Sequence, residues 1–264
     1  MQRYTIHQHA CHLGWDRDIE PVLTVAPGEF IEFDCQEASG GQVTPATTLN
    51  DFRNYSTAGV NPLTGPVYVA GAEPGDALVI GIEGLTTSGW GWTGILPGFG
   101  LLADDFPEHH LVLSRHNDQT IEFLPGIRLP LRPFIGTLGV APAARGHHSV
   151  IPPRRVGGNM DCRDLIAGSQ VTLPVEVAGA LLSVGDTHAA QGDGEVCGTA
   201  IESPMRVTLR IDLIKQAAPA FPRLALPPGP LRTETQQGFI VCTGIGPDLM
   251  SAAADAVRSL IDLI

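Results

Sequence analysis

The clearest periodicity in the chain is MRVTLRIDLI, residues 205–214, where Met205, Val207, Leu209, Ile211 and Leu213 alternate with other positions. A period of two marks a strand with one buried face. VLTVAPGEFIEFDC, from Val22, reads as strand, Pro-Gly turn and strand, with Ile31, Phe33 and Cys35 on one side. VYVAG and ALVIGIEGL flank Ala-Glu-Pro-Gly-Asp, a hairpin or strand-corner signal. LVLSR and TIEFL flank His116-Asn117-Asp118 and predict a hairpin, and SQVTLPVEVAGALLSV reads as one more strand-like stretch. Prolines at 125, 130, 133 and 142 exclude a helix through that region.

The period changes only near the end. GFIVCTGIG predicts a strand, Pro247-Asp248 a helix start, and Leu249, Ala253, Val257, Leu260, Ile261 and Ile264 recur at helical spacing. The expected fold is mainly β: a sandwich- or barrel-like core with a small C-terminal α+β unit. Residues 1–264 would form a single domain, with a closing strand-helix unit over 236–264. Two stretches lack a period. Residues 37–59 are polar and turn-rich, long enough for a functional loop, and LPPGPLRTETQQ, 226–237, reads as a linker or turn.

Composition narrows the function. The hydrophobic content of 43% suffices for a sizeable core, and 31 glycines with 22 prolines spread along the chain suit many short strands. A net charge of −12 argues against a nucleic-acid partner or an anionic membrane surface. No apolar run approaches the ~20 residues of a membrane span, and MQRYTIHQHACHLGWD lacks the apolar segment of a secretory signal. Five cysteines without a CxxC pair read as reduced thiols, so a cytoplasmic protein is expected. Lys215 is the one lysine against fifteen arginines, and no phosphate-binding motif surrounds it. Schiff-base, P-loop and lysine-triad chemistry are all disfavoured.

The chemistry concentrates in GDTHAAQGDGEVCGTAIE, residues 185–202, expected as a Gly-rich segment between two buried strands. Residues two apart on an extended chain point the same way. Asp186 with His188, and Asp193 with Glu195, would therefore each aim at one point. Upstream, GGNMDCRD adds Asp161. Asp161, Asp186 and His188 are candidate ligands of a divalent metal, Zn²⁺ by preference, since zinc accepts imidazole and carboxylate. Glu195 or Asp193 would then be general base to the activated water and general acid to the leaving group. Asn159 is a candidate oxyanion donor. His12, folding back, and Trp92, on a Gly-rich aromatic stretch, are candidate substrate contacts. The plainer alternative makes the carboxylates turn caps and His188 a structural residue. Cys197 as a nucleophile is disfavoured, because neighbouring carboxylates raise a thiol's pKa.

GDTHAAQGDGEVCGTAIE with GGNMDCRDL upstream resembles the acetamidase/formamidase family of amide hydrolases. The resemblance runs on through HLGWDRDIEP, PGEFIEF, EASGGQ, NPLTGPVYVAGAEPGDAL, PGFGLL, RPFIGTLGVAPA and LPVEVAGALLSVGD. EASGG departs from the pattern, with Glu37 where Asp is expected. Membership implies cleavage of a short amide's C–N bond to ammonia and carboxylate, on a sandwich-like β fold assembled as a homodimer or higher homo-oligomer. Two other amidase architectures need a catalytic lysine, which agrees with the lysine count. Two alternatives stay open: a β-sandwich binding protein with a structural Ca²⁺ in its acidic loop, and a hydrolase of a urea- or guanidine-type substrate.

Overall fold

In the computed structural model of the chain, residues 3–227 and 238–264 are described. The strands are β1 (Arg3–Ile6), β2 (Cys11–His12), β3 (Leu23–Val25), β4 (Phe30–Cys35), β5 (Leu63–Val69), β6 (Ala77–Thr87), β7 (Trp90–Ile95), β8 (His110–His116) and β9 (Thr120–Leu124). There follow β10 (Ile127–Pro130), β11 (Phe134–Gly139), β12 (Gly157–Asn159), β13 (Gln170–Pro174), β14 (Ala180–Ala190), β15 (Ile201–Glu202), β16 (Met205–Ile214), β17 (Arg223–Leu226) and β18 (Phe239–Cys242). Two α-helices join them, α1 (Leu49–Phe52) and α2 (Leu249–Leu263). The turn or linker expected over 226–237 lies, from residue 228 on, outside the described residues.

Seven strands form one sheet in the order β1-β4-β16-β6-β13-β17-β18, and eleven form the other. The long path of the second is β10-β9-β8-β7-β15-β14-β11-β12, with β5 also on β14 and carrying β2 and β3. Ile31 and Phe33 of β4, Ile80 of β6, and Val207, Leu209 and Ile211 of β16 share one cluster with Val67 of β5, Ile135 and Leu138 of β11, and Leu182 and Val184 of β14. A mainly β sandwich follows. Each of these side chains is fully buried, contributing roughly 1.5–3 kcal/mol by removal from water.

The predicted alternation in β16 is real: Met205, Val207, Leu209 and Ile211 are buried and Leu213 half-buried. The β8–β9 hairpin also forms. Three other turns do something different. The Pro-Gly turn joins β3 to β4, Ala-Glu-Pro-Gly-Asp joins β5 to β6, and residues 175–179 join β13 to β14, and each carries the chain from one sheet to the other. SQVTLPVEVAGALLSV is thus two strands in two layers and not one. Turn residues mark where a strand stops; where the next one goes depends on contacts distant in sequence.

Lys215 has a structural place. Its Nζ lies 2.5 Å from Asp76 Oδ2, and the buried Asp76 also accepts from the amides of Glu73 (2.8 Å) and Gln216 (2.9 Å). Burial pushes the Asp76 carboxyl up, but Lys215 and those amides outweigh it and hold the pKa below the usual carboxylate range. Its stabilising effect is therefore complete above the unfolded value of about 3.9 and is lost as pH falls through the lowered folded value. Asp76→Asn is expected to cost about 2 kcal/mol at neutral pH through weakened charge-assisted bonds. The gap in thermal midpoint from the parent should narrow below about pH 4, and a gap constant from pH 7 to pH 3 would refute the assignment.

Helix α2 starts where predicted, with Asp248 accepting from Met250 and Ser251 amides at 2.9 Å each. Its covered face is the opposite of the one periodicity suggests. Ser259 is buried and Ala252 and Ala256 half-buried, while Leu249, Val257, Leu260, Ile261 and Ile264 face outward. The cause is close approach: a Cβ on Gly244 would overlap the Ala252 carbonyl, so only small residues fit beneath the helix. No helix among the described residues is long and apolar enough to cross a membrane.

Candidate active site

Asp186 and His188 are strand residues, not loop residues. Every residue of β14 from Ala180 to Ala189 is buried, and only Gln191–Ala200 form the loop. Along one edge β14 follows β11. Along the other it pairs with β5 as far as Gly185 and with β15 from His188. Asp186 sits where that partner changes, at φ 50°. Asp161 has φ 45° and Asn61 φ 50°. Asn and Asp tolerate this left-handed region better than most non-glycine residues, and such conformations gather at functional sites.

The partner change opens room that other residues fill. Gly136 of β11 lies beside Asp186, and a Cβ there would come within 2.6 Å of Asp186 O, 2.8 Å of His188 Cε1 and 3.0 Å of Asp161 Oδ1. The His188 ring is buried against the Phe134 ring, edge-on, with centroids 4.8 Å apart. Its Nε2 lies 3.3 Å from Asp186 Oδ1 and 3.3 Å from Glu202 Oε2. The other nitrogen, Nδ1, is 3.1 Å from Gln191 Oε1, and Gln191 Nε2 donates to the Asp161 carbonyl at 2.9 Å. With the Gln191 amide oriented that way, Nδ1 is the donor in the neutral ring and Nε2 carries the lone pair.

Two triads share this histidine. The ligand atoms of Asp161, Asp186 and His188 lie within 4.8 Å of one another, as do those of His188, Glu195 and Glu202. Three carboxylate oxygens here are buried without a hydrogen-bond partner: Asp161 Oδ1, Glu195 Oε1 and Glu202 Oε2. Burial, then repulsion from Asp186, raises Asp161 to about 7. Burial, then Glu202, raises Glu195 to about 8. Burial also raises Glu202. For His188 burial works the other way, but Glu202 and Asp186 outweigh it and hold the imidazolium well above its ordinary range.

Beside the triads lies an amide-rich corner. Asp186 Oδ2 accepts from Asn61 Nδ2 at 3.0 Å and Thr137 Oγ1 at 3.1 Å. The same two donors reach Asn159 Oδ1, at 3.4 and 2.7 Å. Asn159 is held by its carbonyl, so its NH₂ is the free end.

The remaining candidates are placed elsewhere. Asp193 is exposed and paired with Arg163 at 3.1 Å, so it does not share a target with Glu195. Trp92 is buried with Phe52 and Val43, its Nε1 2.6 Å from Glu37 Oε2, and it offers substrate no surface. His12 has both nitrogens engaged, Nδ1 with Gly14 O and Nε2 with Ser183 Oγ, each at 2.8 Å. Cys197 Sγ lies 3.5 Å from Thr199 O, and no imidazole or cation pairs with it among the described residues.

Sequence reasoning passes over Glu202, Asn61, Thr137 and Gln191. One signal exists: Thr137 is a lone polar position inside the apolar run FIGTLG. The polar loop 37–59 supplies Glu37, which accepts from Ser39 N (2.7 Å), Ser39 Oγ (2.5 Å), Gly41 N (3.1 Å) and Trp92, and so holds the loop in place. It also supplies Tyr55, whose hydroxyl pKa is pushed up by burial and then by Glu37, Glu202 and Asp186.

Comparison with known proteins agrees across the chain. A profile described as Acetamidase/Formamidase family matches residues 1–150 and 142–264. An acetamidase of Mycolicibacterium smegmatis is 32% identical over 268 residues, spanning 77% of this chain and 66% of its own length. A formamidase of Methylophilus methylotrophus is 30% identical over 297 residues, spanning 90% and 72%. The chain thus covers slightly under two thirds of that acetamidase. The crystal structure of a predicted acetamidase/formamidase from Thermoanaerobacter tengcongensis superposes with a TM-score of 0.90 at 27% identity, covering 99% of this chain and 83% of the other.

Proposed function

The chain belongs to the acetamidase/formamidase family, and from that premise and the cluster around His188 we propose that it hydrolyses the C–N bond of small linear amides to ammonia and a carboxylate. One observation carries the site assignment. Three buried carboxylate oxygens have no hydrogen bond, with only Glu202 Oε2 in ion-pair reach of His188 at 3.3 Å, and buried charge of that density needs a cation or protons.

A divalent cation suits the donor set. Asp161, Asp186 and His188 would hold it, which leaves Glu195, in the second triad on the same imidazole, to move protons. The imidazole favours zinc over calcium, which prefers oxygen throughout, and this argues against a purely structural Ca²⁺. Gln191 fixes which nitrogen of His188 is offered. When bound, zinc supplies Lewis acidity toward the carbonyl oxygen and toward water.

The chain's own residues then do the rest. Asn159 Nδ2, with its carbonyl held by Thr137 and Asn61, is placed to donate to the oxygen that gains negative charge. Glu195 accepts the proton of the attacking water and returns it to the departing nitrogen. Burial and Glu202 raise its pKa, which favours the return of the proton to nitrogen. Cysteines spread along the chain with no CxxC pair fit a reducing compartment, and we assign the protein to the cytoplasm on that ground.

The test is ammonia release from acetamide and formamide before chelation, after it, and after zinc is restored. Activity should fall with the metal and return with it. Full turnover in a preparation shown to be metal-free would remove the zinc assignment and leave the hydrolase standing. Ammonia from urea or a guanidine alone would move the substrate class.

A further inference from the structure

Glu195 and Gln191 face two ways. One side is the His188 cluster; the other is a cavity of about 460 Å³. Its walls include Ile95, Phe99, Leu102, Phe106, Phe123 and Leu129. That volume falls within the ~300–1,000 Å³ of small-molecule sites. Formamide or acetamide, with the bulk of roughly two or three waters at about 30 Å³ each, would leave most of it unfilled.

The cavity is built, not a gap between loose loops. Leu101 N–H donates to Val196 O at 2.8 Å, tying the segment after β7 to the loop that carries Glu195. Gly100, at φ 99°, lies against the Cys197 backbone, where a Cβ would stand 2.9 Å from Cys197 C and O. Gly198, at φ 82°, leaves its Cβ space to the Phe99 ring. Two glycines at left-handed φ thus let the aromatic wall close onto the acidic loop. Phe99, Leu102 and Phe106 remain 49%, 44% and 54% exposed, as a wall awaiting an apolar occupant would be.

We propose that this cavity receives an apolar substituent of the amide, larger than methyl, attached on the acyl or the nitrogen side of the scissile bond. The proposal rests on the amide-hydrolase reading and names its substrate class. An apolar chamber with a proton-transferring carboxyl at one end fits a substrate that is hydrocarbon at one end and amide at the other.

Two series distinguish the sides. Ammonia release is measured from acetamide, butanamide and hexanamide, and acetate release from N-ethyl- and N-butylacetamide. Each added methylene buried in the cavity should raise kcat/KM about fourfold. The gain from acetamide to the longest member of one series should be on the order of a hundredfold. Leu129→Trp and Leu102→Trp, which fill the chamber, should each lower the long-to-short ratio at least tenfold; Leu102 is half-exposed, so that variant keeps its fold. Neither series exceeding acetamide, or both variants retaining the parent's ratio, overturns the proposal. If no amide is turned over, the hydrolase reading fails, and calorimetry with hexanamide decides the cavity. Binding lost in both variants would uphold an apolar site, and no binding to the parent would refute it.

Discussion

Glu195→Gln is expected to lower kcat for acetamide by about 10²- to 10⁴-fold, the usual contribution of a positioned acid–base group, without lowering the thermal midpoint. The two halves of that expectation have one cause. Glu195 Oε1 is buried without a partner, and its pKa is raised to about 8 by burial and by Glu202. Ionising the group there costs free energy, so a neutral amide of the same shape costs the fold nothing and removes only the proton carrier. A structural ligand behaves differently: its loss lowers stability and activity together. Kinetics and a melting curve on one preparation separate the cases. Unchanged kcat would dismiss Glu195 as the proton carrier, and a midpoint falling in step with activity would make it a structural ligand.

Gly136→Ala is expected to abolish at least 99% of activity, on the order of a hundredfold, and to reduce occupancy of the proposed zinc. Alanine is normally better than glycine inside a strand. Here the added methyl would meet the Asp186 carbonyl at 2.6 Å, His188 Cε1 at 2.8 Å and Asp161 Oδ1 at 3.0 Å. The carbonyl belongs to a buried strand and cannot yield, so the imidazole and the carboxylate must. Overpacking of this kind costs about 1–3 kcal/mol, and displacing ligands by an ångström costs far more in function. Gly84 of β6 serves as the control, because a Cβ there meets only Thr208 side-chain atoms at 3.8 Å. Gly84→Ala should keep its activity. If Gly136→Ala matches it in turnover and zinc content, the site is not where these residues converge.

Much of this architecture was legible in the residue pattern. Met205 to Leu213 alternate because β16 has one face on the core, and Asp186 and His188 converge because period two puts them on one side of a strand. The Asp193–Glu195 pair failed the same rule, since residues 191–200 are loop and a loop has no fixed alternation. Thr137 and Glu202 join the site through strand pairings, and Asn61 from the bend before β5, with partners outside any local window. Trp92 could not be assigned a face without knowing that Glu37 holds its indole nitrogen. The α2 stripe gave the helix but not its orientation, because Gly244 admits only small residues beneath it.

Asp161, Asp186 and Asn61 share the left-handed backbone conformation, in which Asn and Asp are nearly equivalent sterically while longer side chains are not. Aspartate and asparagine also differ by a single base in their codons. At these three positions one single-base step therefore alters charge alone and leaves the main chain where it is. Glutamate, the usual conservative exchange for aspartate, is the disruptive one here. A lineage carrying this fold can retune the electrical balance of the cluster one unit at a time without first having to rebuild the scaffold around it.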